Sequence, residues 1–232
     1  MSDKYLVHES VLAKKHLLVE NLLLEKPRLA VLQDEDQRTP LHWACSINDE
    51  PMVDLILKYL PKNTDLDELV DASGWTPVHI TSSIGNVGIL NKLMKLDPTP
   101  DINLKTNQGT TALHLSISKQ RNEMVKELIE IYKCLGRIRD SKSMTPLHRA
   151  SCIGSIPIIL LLVDQAHVNV NAQDSDGWTS LHHAMAEGHG DAAVKLVELG
   201  ADPLIQNNDG LTAQQVAVDE SVLHYFQKLA GI

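Results

Sequence analysis

Apolar residues along the chain fall in short clusters of helical spacing, set between polar turns. The clearest cluster reads Met52-Val53 followed by Ile56-Leu57, two adjacent pairs one helical turn apart. The same pattern returns as Ile89, Leu90, Leu93, Met94, then as Met124, Val125, Leu128, Ile129. It continues as Ile158, Ile159, Leu162, Val163 and as Ala192, Ala193, Leu196, Val197. Leu18, Val19, Leu22, Leu23 open the series, and Tyr225, Phe226, Leu229, Ala230 close it. Spacing of i, i+1, i+4, i+5 puts four apolar side chains on one face of a helix. Seven such helices are predicted. Each is too short to be stable alone and must bury its face against neighbours.

A second helix precedes each of these. Its start is marked by Thr39-Pro40-Leu41-His42, repeated as Thr76-Pro77-Val78-His79, Thr111-Ala112-Leu113-His114, Thr145-Pro146-Leu147-His148 and Thr179-Ser180-Leu181-His182. Weaker copies stand at Tyr5-Leu6-Val7-His8 and Thr212-Ala213-Gln214-Gln215. Threonine is a good N-cap, and proline suits the first helical position, where a missing N–H costs nothing. Histidine falls at the third helical position, from which a side chain can reach back to the cap. Gly85, Gly154 and Gly188 lie nine residues past their threonines, as a left-handed helix end requires. Asn48 is tolerable there; Gln120 is not favoured, so distortion is expected at that turn. A period near 33 opening with T-P-L-H is the ankyrin signature. The fold class expected is an all-α repeat solenoid of seven ankyrin repeats, each a hairpin turn plus two antiparallel helices. It forms a single domain, 1–232, with repeats near 1–36, 37–72, 73–107, 108–141, 142–175, 176–208 and 209–232. Extra residues at 61–69 and 97–103 fall after outer helices, where loops lengthen at small cost. Lys14 and Lys15 in the first unit, and Gln214, Gln215 and Asp219 in the last, suit capping repeats that face water.

Composition narrows the chemistry. The formal net charge is −9, against general binding to nucleic acid or an anionic membrane. Cys45, Cys134 and Cys152 are odd in number and form no C-x-x-C, so no disulfide framework or zinc ribbon is implied. Met1-Ser2-Asp3-Lys4-Tyr5 is no basic flank to an apolar run, and no 18-residue apolar stretch occurs. The expectation is a cytoplasmic and nuclear protein, a monomer in isolation, with no cofactor. Six of the eleven histidines occupy the tetrapeptide column. Stacked about 10 Å apart, they are too distant to share a metal, and a structural role is expected. His182, His183 and His189 are the one local cluster, without an acidic or thiol partner at a familiar ligand spacing. An enzyme or metalloprotein built there is the rival class. No nucleophile–base arrangement or nucleotide-binding motif supports it, so a non-enzymatic protein is expected.

In an ankyrin stack the hairpin tips and inner helices form an extended concave binding surface. The exposed columns are the residue before each threonine and those four, seven and eight after it. All three tryptophans, Trp43, Trp75 and Trp178, fall in these columns, and Trp and Arg are typical of binding hot spots. Trp43 and Trp75 could instead stiffen adjacent repeats. Arg38, Lys119, Arg121, Lys142 and Arg149 lie on or beside the surface in the middle repeats, whereas Asp176, Glu187, Asp219 and Glu220 lie toward the C-terminal end. The candidate partner-binding residues are Arg38, Trp43, Trp75, Lys119, Arg121, Arg149, Trp178 and Glu187.

Three stretches go beyond a generic repeat: "DEDQRTPLHWACS", "DASGWTPVHI" and "NQGTTALHLSISKQRNEMVKELI". They closely resemble the gankyrin family of proteasome assembly chaperones, and the likeness covers essentially the whole chain. The resemblance implies a chaperone whose concave face clasps the C-terminal domain of a proteasomal AAA-ATPase subunit during regulatory-particle assembly. It implies that basic side chains meet partner acids, with Arg38, Lys119 and Arg121 at matching positions. Animal members carry L-x-C-x-E in the sixth repeat, linked to retinoblastoma-protein binding. Here the run is His183-Ala184-Met185-Ala186-Glu187, so that partner does not carry over and the chain resembles fungal-type members. The alternative is an ankyrin regulator of another partner, such as a cyclin-dependent kinase, though those have fewer repeats.

Overall fold

The structure is a computed structural model that describes residues 5–166 and 168–231; residues 1–4, part of the N-terminal segment considered above, lie outside it. It divides into two compact units, Met1–Gln108 and Gly109–Ile232.

The first unit holds three helix pairs: α1 (Leu6–Leu12) with α2 (His16–Glu25), α3 (Pro40–Ser46) with α4 (Glu50–Tyr59), and α5 (Pro77–Ile84) with α6 (Val87–Leu93). Inner helices pack as α1 on α3 and α3 on α5, and outer helices as α2 on α4 and α4 on α6. Between them lie Val19, Leu23, Met52, Val53, Ile56, Ile89, Leu90 and Leu93, all buried. The 61–69 loop adds Leu66 to this core, and Asp67 Oδ2 accepts the Asp101 N–H at 2.8 Å, tying it to the second long loop.

The second unit repeats the scheme with α7 (Ala112–Ser118) and α8 (Asn122–Glu130), α9 (Pro146–Cys152) and α10 (Ile156–Ala166), and α11 (Ser180–Ala186) and α12 (Gly190–Glu198). Inner and outer helices again stack in two rows. The seventh repeat departs from expectation. Residues 213–216 make only a turn, and α13 (Glu220–Ala230) alone packs on α12. The cap is begun, because Gln215 Oε1 accepts the Thr212 N–H at 2.8 Å. With no further described helix packed beyond it, no helix propagates from that cap. Phe226 is fully buried, but Tyr225 and Leu229 are 41% and 52% exposed. The core columns of the last repeat are therefore only half used, since no further described helix covers them. Leu18, at the opening of the series, is likewise 36% exposed.

Local rules read from sequence hold in most places. All five full tetrapeptides form a capping box: the threonine oxygen accepts the histidine N–H, and the ring accepts the threonine N–H. The distortion expected at Gln120 is not found. Its φ is 55°, beside 56° at Asn48. The same two backbone bonds close both turns, at 2.8 Å each after α7 and 3.1 Å each after α3. Helix packing imposes the left-handed conformation and a non-glycine residue bears the strain, of order 1 kcal/mol. At the hairpin tips Gly74 is required on two counts: its φ is 76°, and a Cβ would lie 2.7 Å from the Asn107 backbone nitrogen.

Candidate protein-binding site

The tetrapeptide histidines join each repeat to the next. His42 Nδ1 accepts the Thr39 N–H at 3.1 Å, so its Nε2–H donates to the Trp75 carbonyl of the following hairpin, also at 3.1 Å. His79 reaches Leu104 (2.9 Å), His114 reaches Met144 (3.2 Å), His148 reaches Ala172 and Trp178 (3.0 and 3.2 Å), and His182 reaches Leu211 (3.0 Å). Burial pushes His42 and His148 down to about 4 and holds His79 and His182 below the usual imidazole range. These rings stay neutral with both nitrogens engaged. The local cluster is occupied too: His183 Nε2 bonds Asp174 Oδ2 at 2.8 Å, and His189 Nε2 bonds the Cys152 carbonyl at 3.0 Å.

A second column, absent from the sequence reading, organises the candidate surface. Five residues before the threonine stands Asp34, Asp71, Asp140 or Asp174. One carboxylate oxygen closes the hairpin: Asp71 Oδ1 accepts from Ser73 and Trp75, and Asp140 Oδ1 from Lys142 and Met144, all at 2.9–3.0 Å. The other oxygen pins a side chain on the candidate face. Asp34 Oδ2 takes the Trp43 indole N–H (2.7 Å), Asp71 Oδ2 the Arg38 Nε–H (3.1 Å) and Asp140 Oδ2 an Arg149 Nη2–H (2.5 Å). Burial raises the Asp34 and Asp140 carboxyls, but the Trp43 and Arg149 donors and the hairpin amides outweigh it and hold both below the usual carboxylate range. Asn207 shows the rule by its failure. Its Oδ1 closes the last hairpin, with Val216 where a donor would stand, and its buried Nδ2 has no partner among the described residues. The signal was legible as an aspartate column offset nine residues from Trp43, Arg149 and His183.

Within the first unit, Arg38 and Trp43 come together, the guanidinium carbon 4.9 Å from the indole centroid. Trp75 is half-buried, and its backbone closes the hairpin against Asp71. Arg38 is thus no open cation, because its partner Asp71 is almost wholly buried. Within the second unit, Lys119 caps the end of α7 and Arg121 precedes α8, both exposed. Arg149 is held on Asp140. Trp178 is half-buried, its ring 5.2 Å from that of His183 and 5.9 Å from that of His182. Glu187 ends α11, exposed. Arg38, Trp43 and Arg149 are therefore pinned by carboxylates, whereas Lys119 and Glu187 are exposed charges.

The family described as "Ankyrin repeats (3 copies)" matches residues 7–106, 82–174 and 136–207. The "Probable 26S proteasome regulatory subunit p28" of Saccharomyces cerevisiae is 42% identical over 225 residues, 97% of this chain and 98% of that protein. The chain belongs to the gankyrin family. A further relative, the "Ankyrin repeat-containing protein C6C3.08" of Schizosaccharomyces pombe, is 37% identical over 90% of this chain and 88% of its own length. Among solved structures, the ankyrin repeat domain of Bcl-3 superposes with a TM-score of 0.76 at 26% identity, covering 95% of this chain and 97% of that one. For this gankyrin-family chain the fold is an array of ankyrin repeats, and all its named elements among the described residues are helical.

Proposed function

We propose that the chain is a non-enzymatic assembly chaperone that binds the C-terminal domain of a proteasomal AAA-ATPase subunit and helps build the regulatory particle. It acts in cytoplasm and nucleus, through the face of hairpin tips and inner helices. The observation that carries this reading is end-to-end similarity, at 42% identity, to a protein named as a probable 26S proteasome regulatory subunit. Arg38 and Trp43, which lie together in the first unit, are of the residue types typical of protein-binding hot spots and support a protein partner.

The test is affinity purification of the tagged chain with identification of what accompanies it. Proteasomal ATPases are expected; kinases in their absence would overturn the reading. The point variant to use is Lys119→Glu. Lys119 is exposed and outside the core columns, so reversal shifts stability by no more than about 0.5 kcal/mol. Loss of a partly desolvated charge pair costs about 2–5 kcal/mol of affinity. Lys119→Glu is expected to weaken capture at unchanged melting temperature, and Lys14→Glu with Lys15→Glu to bind normally. Arg38→Glu, which treats Arg38 as a freely reversible cation, is a poor probe because it sets a second carboxylate against buried Asp71.

A further inference from the structure

The first two repeats hold a cleft of about 250 Å³ between α1 and the hairpin that precedes α3. Its walls are Tyr5, Leu12 and Trp43. Its rim carries Glu9, Glu35 and Asp36, all exposed and none in an ion pair among the described residues. His8, only 3% exposed, lines the same cleft. Its Nε2–H is committed to the Leu32 and Arg38 carbonyls at 2.9 and 3.1 Å, which leaves Nδ1 as a bare acceptor. The reason is local. The five full tetrapeptides place a threonine hydroxyl and N–H on that nitrogen, but here Tyr5 stands in the threonine position.

We propose that this cleft receives one long cationic side chain, arginine or lysine, presented by the protein partner. The volume lies below the ~300–1,000 Å³ usual for small-molecule sites and suits a single side chain. Leu12, 44% exposed, offers apolar surface for a methylene stem. Trp43 contributes an aromatic ring, of the type best suited to a cation, although one face already carries the Arg38 guanidinium. Three carboxylates raise the local attraction for positive charge and disfavour an acidic ligand. The partner therefore carries a base opposite the first two repeats as well as acids opposite Lys119.

The inference rests on the protein-partner reading above, so it is tested in two arms. In the first, a Trp75→Phe, Trp178→Phe variant leaves Trp43 as the one indole, and its fluorescence is titrated at low salt with acetylated, amidated Gly-Arg-Gly, Gly-Lys-Gly, Gly-Leu-Gly and Gly-Glu-Gly. Saturable change with the two basic peptides only is expected, abolished in Glu9→Gln, Glu35→Gln, Asp36→Asn. Asp34 is left intact because it closes the hairpin. No response, or equal response to all four peptides, overturns the cleft. In the second arm, the C-terminal domain of the co-purifying ATPase is bound to wild type and to the triple variant. At least tenfold weaker binding is expected at equal melting temperature, with a shallower salt dependence. Equal affinity overturns the cleft even where the chaperone reading stands. Basic-selective peptide binding without any ATPase capture would overturn the chaperone reading and keep the cleft.

Discussion

Single residues carry two kinds of load here, neutral rivets and compensated charges, and each has a signature. His42 and His148 sit at about 4 in the folded chain, against about 6.5 when unfolded. The unfolded state therefore binds more protons between those values, and stability rises with pH across that window. Acidification from pH 7 to 5 is expected to remove about 2 kcal/mol for each of the two, read as a fall in denaturation midpoint. His42→Gln should flatten that fall. The depressed Asp34 and Asp140 carboxyls contribute stability above about pH 3.8 that is lost only as pH drops further. Identical stability at pH 5 and pH 7 would refute the rivet assignment. The charge pair makes a different prediction. Arg38→Ala strands the nearly buried Asp71 carboxylate and should cost about 1–3 kcal/mol. Asp71→Asn in the same chain should recover part of it, because the amide oxygen can still close the hairpin. Additive losses in the double variant would mean that the two side chains act independently.

At the scale of elements, most of the architecture was legible, because helix spacing, capping and left-handed turns are local rules that adjacent residues either satisfy or break. Met52-Val53-Ile56 and Ile89-Leu90-Leu93 sit in the core where their period places them. The failures are tertiary. Gln120 adopts an unfavoured conformation because two packed helices demand it; glycine at the same place in three other repeats marks the left-handed turn, but glutamine itself does not. The seventh inner helix is missing because helices this short exist only when covered; the apolar column Tyr225, Phe226, Leu229, Ala230 says nothing about a lid. The candidate surface was half legible. Residue types marked Arg38, Trp43 and Arg149, but the column of aspartates that holds them went unread in the sequence. An incompletely covered last repeat should open first, since each repeat is stabilised by its neighbours. Amides of residues 205–231 are expected to exchange faster than those of 122–163, and equal protection would count against the unequal cover seen in the structure.

For the molecule as a whole, the tetrapeptide and its apolar columns recur on either side of Gln108–Gly109, so the repeat itself does not mark the division between the two compact units. The cysteines happen to be distributed across it. Cys45 lies in the first unit, fully buried, its thiol pushed up to about 12 by burial; Cys134, buried, and Cys152, pushed up by burial to about 11, lie in the second. A buried thiol does not reach a disulfide reagent, so modification of Cys45 and Cys134 waits for the surrounding structure to open, whereas Cys152 is only half-buried. The chain thereby carries a clock in each half. Under native conditions the labelling rate at Cys45 reports opening of residues 1–108, and that at Cys134 reports opening of 109–232. Arg38→Ala should quicken the first clock and leave the second at its wild-type pace. Clocks that always keep the same time would mean that the protein opens only as one body, and that a partner gripping either end protects both.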